Sequence, residues 1–244
     1  MQTIRAILKR EFRSYFMTSM GYVILVVFLV LAGFLTIKGR FFEMRQADLR
    51  VFFDNLPLLY IFFIPAAGMR LWAEERKAGT IEFLFTQPVT VAQAVIGKFA
   101  AGWLFLAVAL LLTAPLVIAV SRLGNPDFYV IASGYLGALL MGGAYLAVSV
   151  FCSALTRSQI VSFVLSVGMI ALLAYTDSPA VLTWLAGILP PYLIEALANM
   201  SLSGHFESMR RGVLEFRDLS FYGILTAGLI AVTCLVVDNR RESC

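Results

Sequence analysis

The sequence predicts an all-α integral membrane protein with six transmembrane helices. Hydrophobic residues make up 60% of the chain and charged residues 14%, whereas a soluble domain is about half apolar and about a quarter charged. Six apolar runs each approach the length that crosses about 30 Å of hydrocarbon. Because backbone polar groups must be satisfied inside the bilayer, these runs are predicted to be helices. The runs are residues 21–37, 56–73, 94–120, 130–152, 159–175 and 221–237.

Sequence features refine the prediction for the first span, the third span and the orientation of the chain. No small-x-small cleavage site follows the first run, which is therefore predicted to be a retained span rather than a signal peptide. Pro115 lies inside the long third run and predicts a kink there. The segments predicted to be inside carry somewhat more Lys and Arg than the outside segments, so both termini are predicted to be cytoplasmic.

The segment before the last span does not fit a simple crossing. Residues 179–204 are apolar, but Pro190 and Pro191 split them and Glu195 interrupts the second half. The sequence predicts two short re-entrant or interfacial helices on the outer side. A seventh span remains an alternative, and it would place the C-terminus outside.

The chain is predicted to form one transmembrane domain over residues 1–244. Its parts are an N-terminal helix at 1–20, five spans within 21–175, an outer re-entrant segment at 176–220, and the last span with a cytoplasmic tail at 221–244.

The first residues have the pattern of an amphipathic helix. Apolar side chains recur at the spacing of one helix face, at Ile4, Ile7, Leu8, Phe12, Tyr15 and Phe16. Basic side chains take the other face, at Arg5, Lys9, Arg10 and Arg13. Such a helix is expected to lie in the inner membrane interface. The alternative is that these residues are a charged segment before the first span that only fixes its orientation.

Between the second and third runs, residues 69–90 read "MRLWAEERKAGTIEFLFTQPVT" and concentrate charge in a chain that has little. Trp72 is expected at the headgroup level, where the second span ends. Gly79 supplies a turn, and Thr80 is expected to cap a short helix that ends before Pro88.

Two further features of this loop bear on its role. Thr90 and Gln93 form a capping-box pattern that starts the third span. The short helix carries Ile81, Phe83, Leu84 and Phe85, which are too apolar for a free loop in water. Exposed apolar surface of this kind marks a contact site. Folding of these side chains back against the membrane face is equally compatible with the spacing.

Four stretches together resemble one known family. The loop sequence "MRLWAEERKAGTIEFLFTQPVTVAQAVIGKF" resembles the first cytoplasmic loop of type-2 ABC exporter permeases. The stretches "GNPDFYVIASGYLG", "SALTRSQIVSFVLSV" and "HFESMRRGVLEFRDLSFYG" are similar to the gliding-motility (GldF-like) branch of that family. The resemblance covers nearly the whole chain in the right order.

This resemblance implies a transmembrane permease subunit of an ATP-driven exporter, in which residues 81–85 form a coupling helix that docks on a separate ATPase subunit. Phe83 and Phe85 stand where the family more often has leucines, which would alter groove packing. The implied ATPase contacts are Glu74, Glu75, Arg76, Gly79, Thr80, Ile81, Glu82, Phe83, Leu84, Phe85, Thr156, Arg157, Ser158 and Gln159.

The expected cofactors follow from a missing phosphate-binding motif, and the expected partners follow from the resemblance to ABC exporter permeases. There is no G-x-x-x-x-G-K-[ST] phosphate loop in the sequence, so ATP and Mg²⁺ are expected on the partner. The resemblance implies two ABC ATPase subunits and a second copy of this permease or a related one, in the bacterial inner membrane. Membrane lipid and an envelope or periplasmic protein are further expected partners, and nucleic acid is not.

The outer segment suggests a second contact surface and a second function. The stretch "RRGVLEFRDLSFY" predicts a short amphipathic helix at the outer interface, either a solvated face or a partner contact through Arg210, Arg211, Arg217 and Asp218. The alternative function is a force-transmitting or assembly subunit that translocates nothing and acts on an envelope protein. An intramembrane enzyme is disfavoured because the one histidine, His205, lies outside the predicted spans.

The fourth run carries small residues at helical spacing, at Gly134, Ala138 and Gly142, with Ser149 and Ser153 following one position around. Small residues let helices approach closely in lipid. Packing within the chain is the favoured interpretation.

Overall fold

A computed structural model describes residues 2–38, 48–79, 89–179, 182–183 and 200–241. These described parts are helical and contain no strand. The helices are α1 Gln2–Met17, α2 Ser19–Lys38, α3 Arg50–Gly68, α4 Arg70–Ala78, α5 Val91–Leu111, α6 Ala114–Leu123, α7 Phe128–Leu155, α8 Gln159–Ala174, α9 Leu202–Arg210 and α10 Phe216–Arg241.

Five helical segments in the described residues are long and apolar enough to cross a membrane. They are α2, α3 continued through α4, α5 continued through α6, α7, and α10. The predicted fifth run folds as α8, an apolar helix of only 16 residues. The prediction of an all-helical membrane protein is therefore confirmed, whereas the count of six spans stays a prediction.

At the centre of the bundle lies α7, which packs against α3, α5, α8, α9 and α10. Its small residues make close contacts within the chain. A Cβ built on Gly134 would lie 2.6 Å from the Phe53 ring, and one on Gly142 would lie 2.2 Å from Leu106. The interpretation of the small-residue stripe as internal packing is confirmed.

Two of the long helical segments are interrupted. Between α5 and α6 the chain turns at Leu112 and Thr113, and Pro115 lies in the first turn of α6. A proline fits there because the first turn of a helix needs no intrahelical N–H bond. The kink predicted from Pro115 is confirmed. Between α3 and α4 the turn is at Met69.

At the N-terminus, α1 confirms the amphipathic pattern. Ile7 and Tyr15 are buried, and the helix packs against α5 and α2. The basic side chains of Arg5, Lys9 and Arg13 are exposed on the other side. Protein therefore covers the centre of the apolar face, and the placement of α1 at the membrane interface stays a prediction.

The structure bears on several local expectations. Trp72 is fully buried within the bundle, so its ring packs against protein, and its predicted depth at the headgroup level stays a prediction. The stretch from Arg210 to Tyr222 is not one short helix, because α9 ends at Arg210 and Gly212 turns the chain with φ +90. The last helix then begins at Phe216, five residues before the predicted last run. Most of the 179–204 stretch that is predicted to form two short re-entrant helices, residues 180–181 and 184–199, lies outside the described residues, so those helices stay a prediction.

Candidate functional site at the α4 end of the bundle

The loop that carries most of the predicted contact residues is anchored at both ends. At its start, Gly79 ends α4 in the left-handed region with φ 70, a conformation that glycine adopts without strain. At its end, Thr90 and Gln93 form the predicted capping box, with Gln93 N donating to Thr90 Oγ1 over 3.3 Å. The turn and the capping box are confirmed.

The predicted coupling helix itself falls between these anchors. Thr80, Ile81, Glu82, Phe83, Leu84 and Phe85 lie outside the described residues. Their helix and their contacts stay predictions.

A buried lysine joins the helices on either side of the loop. Lys98, the eighth residue of α5, is 1% exposed. Its Nζ donates to the Leu71 carbonyl over 2.7 Å and lies 2.8 Å from Glu75 Oε1 and 3.4 Å from Glu11 Oε1. It also lies 5.0 Å from the centre of the Trp72 ring. One ammonium group therefore contacts α1 and α4 from α5.

Arg10 adds a second cation to this ionic cluster. Arg10 Nη2 lies 2.7 Å from Glu11 Oε1 and 3.5 Å from Glu75 Oε1. Burial raises the pKa of Glu11, but the charges of Lys98 and Arg10 outweigh it and leave the pKa below its usual 4.5. A buried lysine is tolerated only when paired in this way.

Sequence analysis did not single out Lys98 or its ion pairs. The signal that could have found it is a lysine inside an apolar helical run, where an ionisable group needs a partner. The sequence offers several acidic residues at this end, and only the fold selects Glu11 and Glu75 among them.

A second set of contacts fastens α1 to the junction of α3 and α4. Arg70 donates from Nη1 to Thr18 Oγ1 and from Nη2 to Ser14 Oγ, each over 2.8 Å. Its guanidinium lies 5.0 Å from the centre of the Tyr15 ring. The Tyr15 hydroxyl donates to the Ala67 carbonyl over 2.9 Å. The start of α4 is thus tied to the end of α1.

The second predicted contact segment lies beside α4. Thr156, Arg157 and Ser158 form the turn between α7 and α8, and Gln159 starts α8. Arg76 Nη1 donates to the Ala154 carbonyl over 2.7 Å and lies 3.5 Å from the Thr156 carbonyl.

The structure thus brings Arg76, Gly79 and the 156–159 turn to one end of the bundle. Glu75 faces the buried cluster, whereas the Glu74 side chain is 59% exposed and ion-pairs with Arg70 at 4.0 Å.

The chain matches one protein-family model from residue 5 to residue 234, over nearly its whole length. The description of that family is ABC-2 family transporter protein. The chain belongs to the ABC-2 transporter family. No curated protein is significantly similar to it. Membership makes the chain the permease subunit of an ABC transporter, a multi-pass membrane component that is not itself catalytic and whose family associates with ABC ATPase subunits.

At the opposite end of the ABC-2 permease, α9 is tied to neighbouring helices by polar contacts. Ser133 Oγ of α7 donates to the Met209 carbonyl over 2.9 Å, and the Tyr222 hydroxyl of α10 donates to the Leu202 carbonyl over 2.6 Å. Ser201, which caps α9, donates to the Ala174 carbonyl at the end of α8 over 3.0 Å. The segment before the last helix therefore packs on the permease.

The four residues predicted to contact an outer partner differ in accessibility. Arg210 pairs with Asp54 of α3 and with Glu207, and Arg211 also pairs with Glu207. Asp218 is fully buried, and its Oδ1 lies 2.7 Å from His205 Nδ1. The side chains of Arg211 and Arg217 are 60% and 72% exposed. A partner contact of this permease stays a prediction, and these two arginines are the accessible members of the set.

Metal or cofactor chemistry was not predicted for this chain. Within the described residues no group of three or more His, Cys, Asp or Glu side chains could hold a metal ion.

Proposed function

We propose that this chain is the transmembrane permease of an ATP-driven exporter of the type-2 class, coupled to a separate ATPase subunit through residues 80–86. The observation that carries the proposal is the convergence of three segments at one end of the bundle. The end of α4, the start of α5 and the α7–α8 turn meet there. The ionic cluster of Lys98, Glu75, Glu11 and Arg10 joins α5 to α4, and the bond from Arg76 to the Ala154 carbonyl joins α4 to the end of α7.

This arrangement suits a docking site for a motor subunit. The loop leaves α4 at a left-handed glycine and re-enters α5 at a capping box, so both of its ends are fixed. Buried ionic contacts with good geometry resist displacement more than exposed ion pairs do. A force applied to the loop would therefore reach the spans instead of being absorbed by its anchors.

The rest of the assembly belongs to the same proposal. Two ABC ATPase subunits bind ATP and Mg²⁺ below a pair of permeases, which are two copies of this chain or this chain and a relative. The complex lies in a bacterial inner membrane with both permease termini cytoplasmic, in the gliding-motility branch of the family. The long helices α3–α4 and α5–α6 would carry the motion across the bilayer.

Replacing Leu84 with aspartate tests the coupling role. A carboxylate in an apolar groove is costly to bury unpaired, so we expect the permease-stimulated ATPase activity of the complex to fall by about tenfold or more. The matched control is Ala6→Asp, which adds the same charge to the exposed side of α1. Stimulated ATPase activity of the purified complex is the measurement. Unchanged stimulation by the Leu84 variant would exclude residues 80–86 as the coupling element.

A force-transmitting subunit that translocates nothing is the second candidate. The exposed guanidinium groups of Arg211 and Arg217 at the opposite end favour it, because they could bind an acidic envelope protein. This candidate retains the same ATPase contact. A photo-crosslinking residue at Arg217 distinguishes the two, since the force-transmitting subunit captures a protein there and the exporter captures lipid or cargo.

A further inference from the structure

The ionic cluster around Lys98 makes contacts that packing alone does not require. A methionine or leucine would fill the same buried volume in α5, yet the chain places an ammonium group there with 1% exposure. Replacing a buried ion pair by apolar residues is often neutral or stabilising, so stability is a weak reason for the lysine. The directional contacts of the ammonium group explain the choice of lysine better than stability does.

Those contacts join three helices. Lys98 lies on α5. Its ammonium group bonds to the Leu71 carbonyl of α4 over 2.7 Å and lies 2.8 Å from Glu75 of the same helix. It also lies 3.4 Å from Glu11 of α1. Residues 80–88 lie between α4 and α5 in the chain. The lysine therefore bridges the two helices that flank this loop, and it adds α1 to them.

The geometry points to Lys98 as a positioning residue that makes α1, α4 and α5 one mechanical unit, an inference that rests on the proposed coupling through residues 80–86. Displacement of the loop would then move α1 together with the ends of two spans. Without the lysine, the polar link between α4 and α5 is lost, while α1 stays held to α4 by Arg70 and Arg10 and to α5 by apolar packing alone.

Close packing supports the same unit. Ile7 of α1 lies over Gly97, where an added Cβ would come within 2.8 Å of the Ile7 side chain. The Tyr15 ring stacks on Phe105 with centroids 4.5 Å apart. These contacts hold α1 against α5 over more than two turns, and the Lys98–Glu11 pair lies between them.

Two variants separate a positioning role from a stabilising one. Lys98→Met removes the ammonium group that lies 2.8 Å from the part-buried Glu75 carboxylate, so it should lower the melting temperature as well as the coupling. The double variant Glu75→Gln with Lys98→Met also removes the Glu75 charge, so the two buried charges are lost together, and Glu11 keeps Arg10 at 2.7 Å. We expect the double variant to recover most of the melting temperature but to keep a loss of about tenfold in permease-stimulated ATPase activity.

A third variant tests the inclusion of α1. Glu11→Gln leaves Lys98 with Glu75 and the Leu71 carbonyl, so this variant should fold, and stimulation should still fall several-fold. Lys9→Met is the matched control, because Lys9 is an exposed cation on the same helix. It should leave stimulation unchanged.

The measurement is made on the purified complex, with retention of the ATPase subunit scored before stimulated activity. Retained subunit with lost stimulation in the double variant supports the inference. If the double variant recovers stimulated ATPase activity together with its melting temperature, the positioning role of Lys98 is overturned. Full stimulation in Glu11→Gln would overturn it as well. Both outcomes leave the docking proposal intact. A wild-type permease that retains no ATPase subunit would instead overturn the proposed function, and this inference with it.

Discussion

Replacing Ser153 with alanine is expected to destabilise the permease more than most single-atom deletions. Ser153 Oγ accepts from the N–H groups of Trp72 and Ala73, each over 3.1 Å, and donates to the Met69 carbonyl over 2.8 Å. Helix starts leave N–H groups without an acceptor in their own helix, and this serine of α7 serves the start of α4. Leaving a buried polar group unsatisfied costs about 1–3 kcal/mol.

Ser149→Ala is the matched control, one turn earlier on the same helix. Ser149 is also fully buried, but its Oγ has no hydrogen-bond partner among the described residues. Thermal unfolding in detergent should show a lower melting temperature for Ser153→Ala, by roughly 2–4 °C for each kcal/mol lost, and little change for Ser149→Ala. Equal decreases in melting temperature would mean that the lost side-chain volume, and not the lost hydrogen bonds to the start of α4, causes the destabilisation.

Replacing Gly21 with alanine should open the corner between α1 and α2. A Cβ at this position would lie 1.9 Å from the Tyr15 carbonyl oxygen, which is backbone and cannot rotate away. Forcing extra volume into a packed site costs about 1–3 kcal/mol. Relief of the clash requires α1 to move, which would strain the bonds from Arg70 to Ser14 and Thr18.

The control is Gly33→Ala on the same helix, where an added Cβ meets nothing within 4 Å. Alanine is the better helix former, by about 1 kcal/mol, so this variant should be neutral or slightly stabilising. Limited proteolysis with trypsin reports the movement, because α1 carries exposed Arg5, Lys9 and Arg13. We expect faster cleavage in α1 for Gly21→Ala than for Gly33→Ala, and equal rates would show that α1 does not depend on this corner.

Local features of this chain were predictable because their signals are local. The capping box at Thr90 and Gln93 spans three residues, and Gly79 ends its helix through its own backbone freedom. The break before Pro115 follows from the geometry of proline. Periodicity along α1 separated its buried residues from its basic ones, since both sets lie within sixteen residues.

Long-range pairings were not predictable from a single sequence. Lys98 meets partners 27 and 87 residues away, and Ser153 supports backbone about 80 residues away. The last helix begins five residues before the predicted last run, because Arg217 and Asp218 have the pattern of solvated charges and yet belong to the helix. Asp218 is instead buried against His205, a pairing that only the approach of α9 to α10 creates. The contact residues of the predicted coupling helix, 80–85, stay predictions because they lie outside the described residues.

A photo-crosslinking residue at Leu84, activated in native membranes with the captured partner identified by mass, tests the central claim most directly. The proposed coupling predicts capture of an ABC ATPase subunit, and that capture would also place this end of the bundle in the cytoplasm. Capture of lipid alone, or of the spans of this same protein, would mean that residues 80–86 fold against the membrane, and it would contradict coupling through this loop.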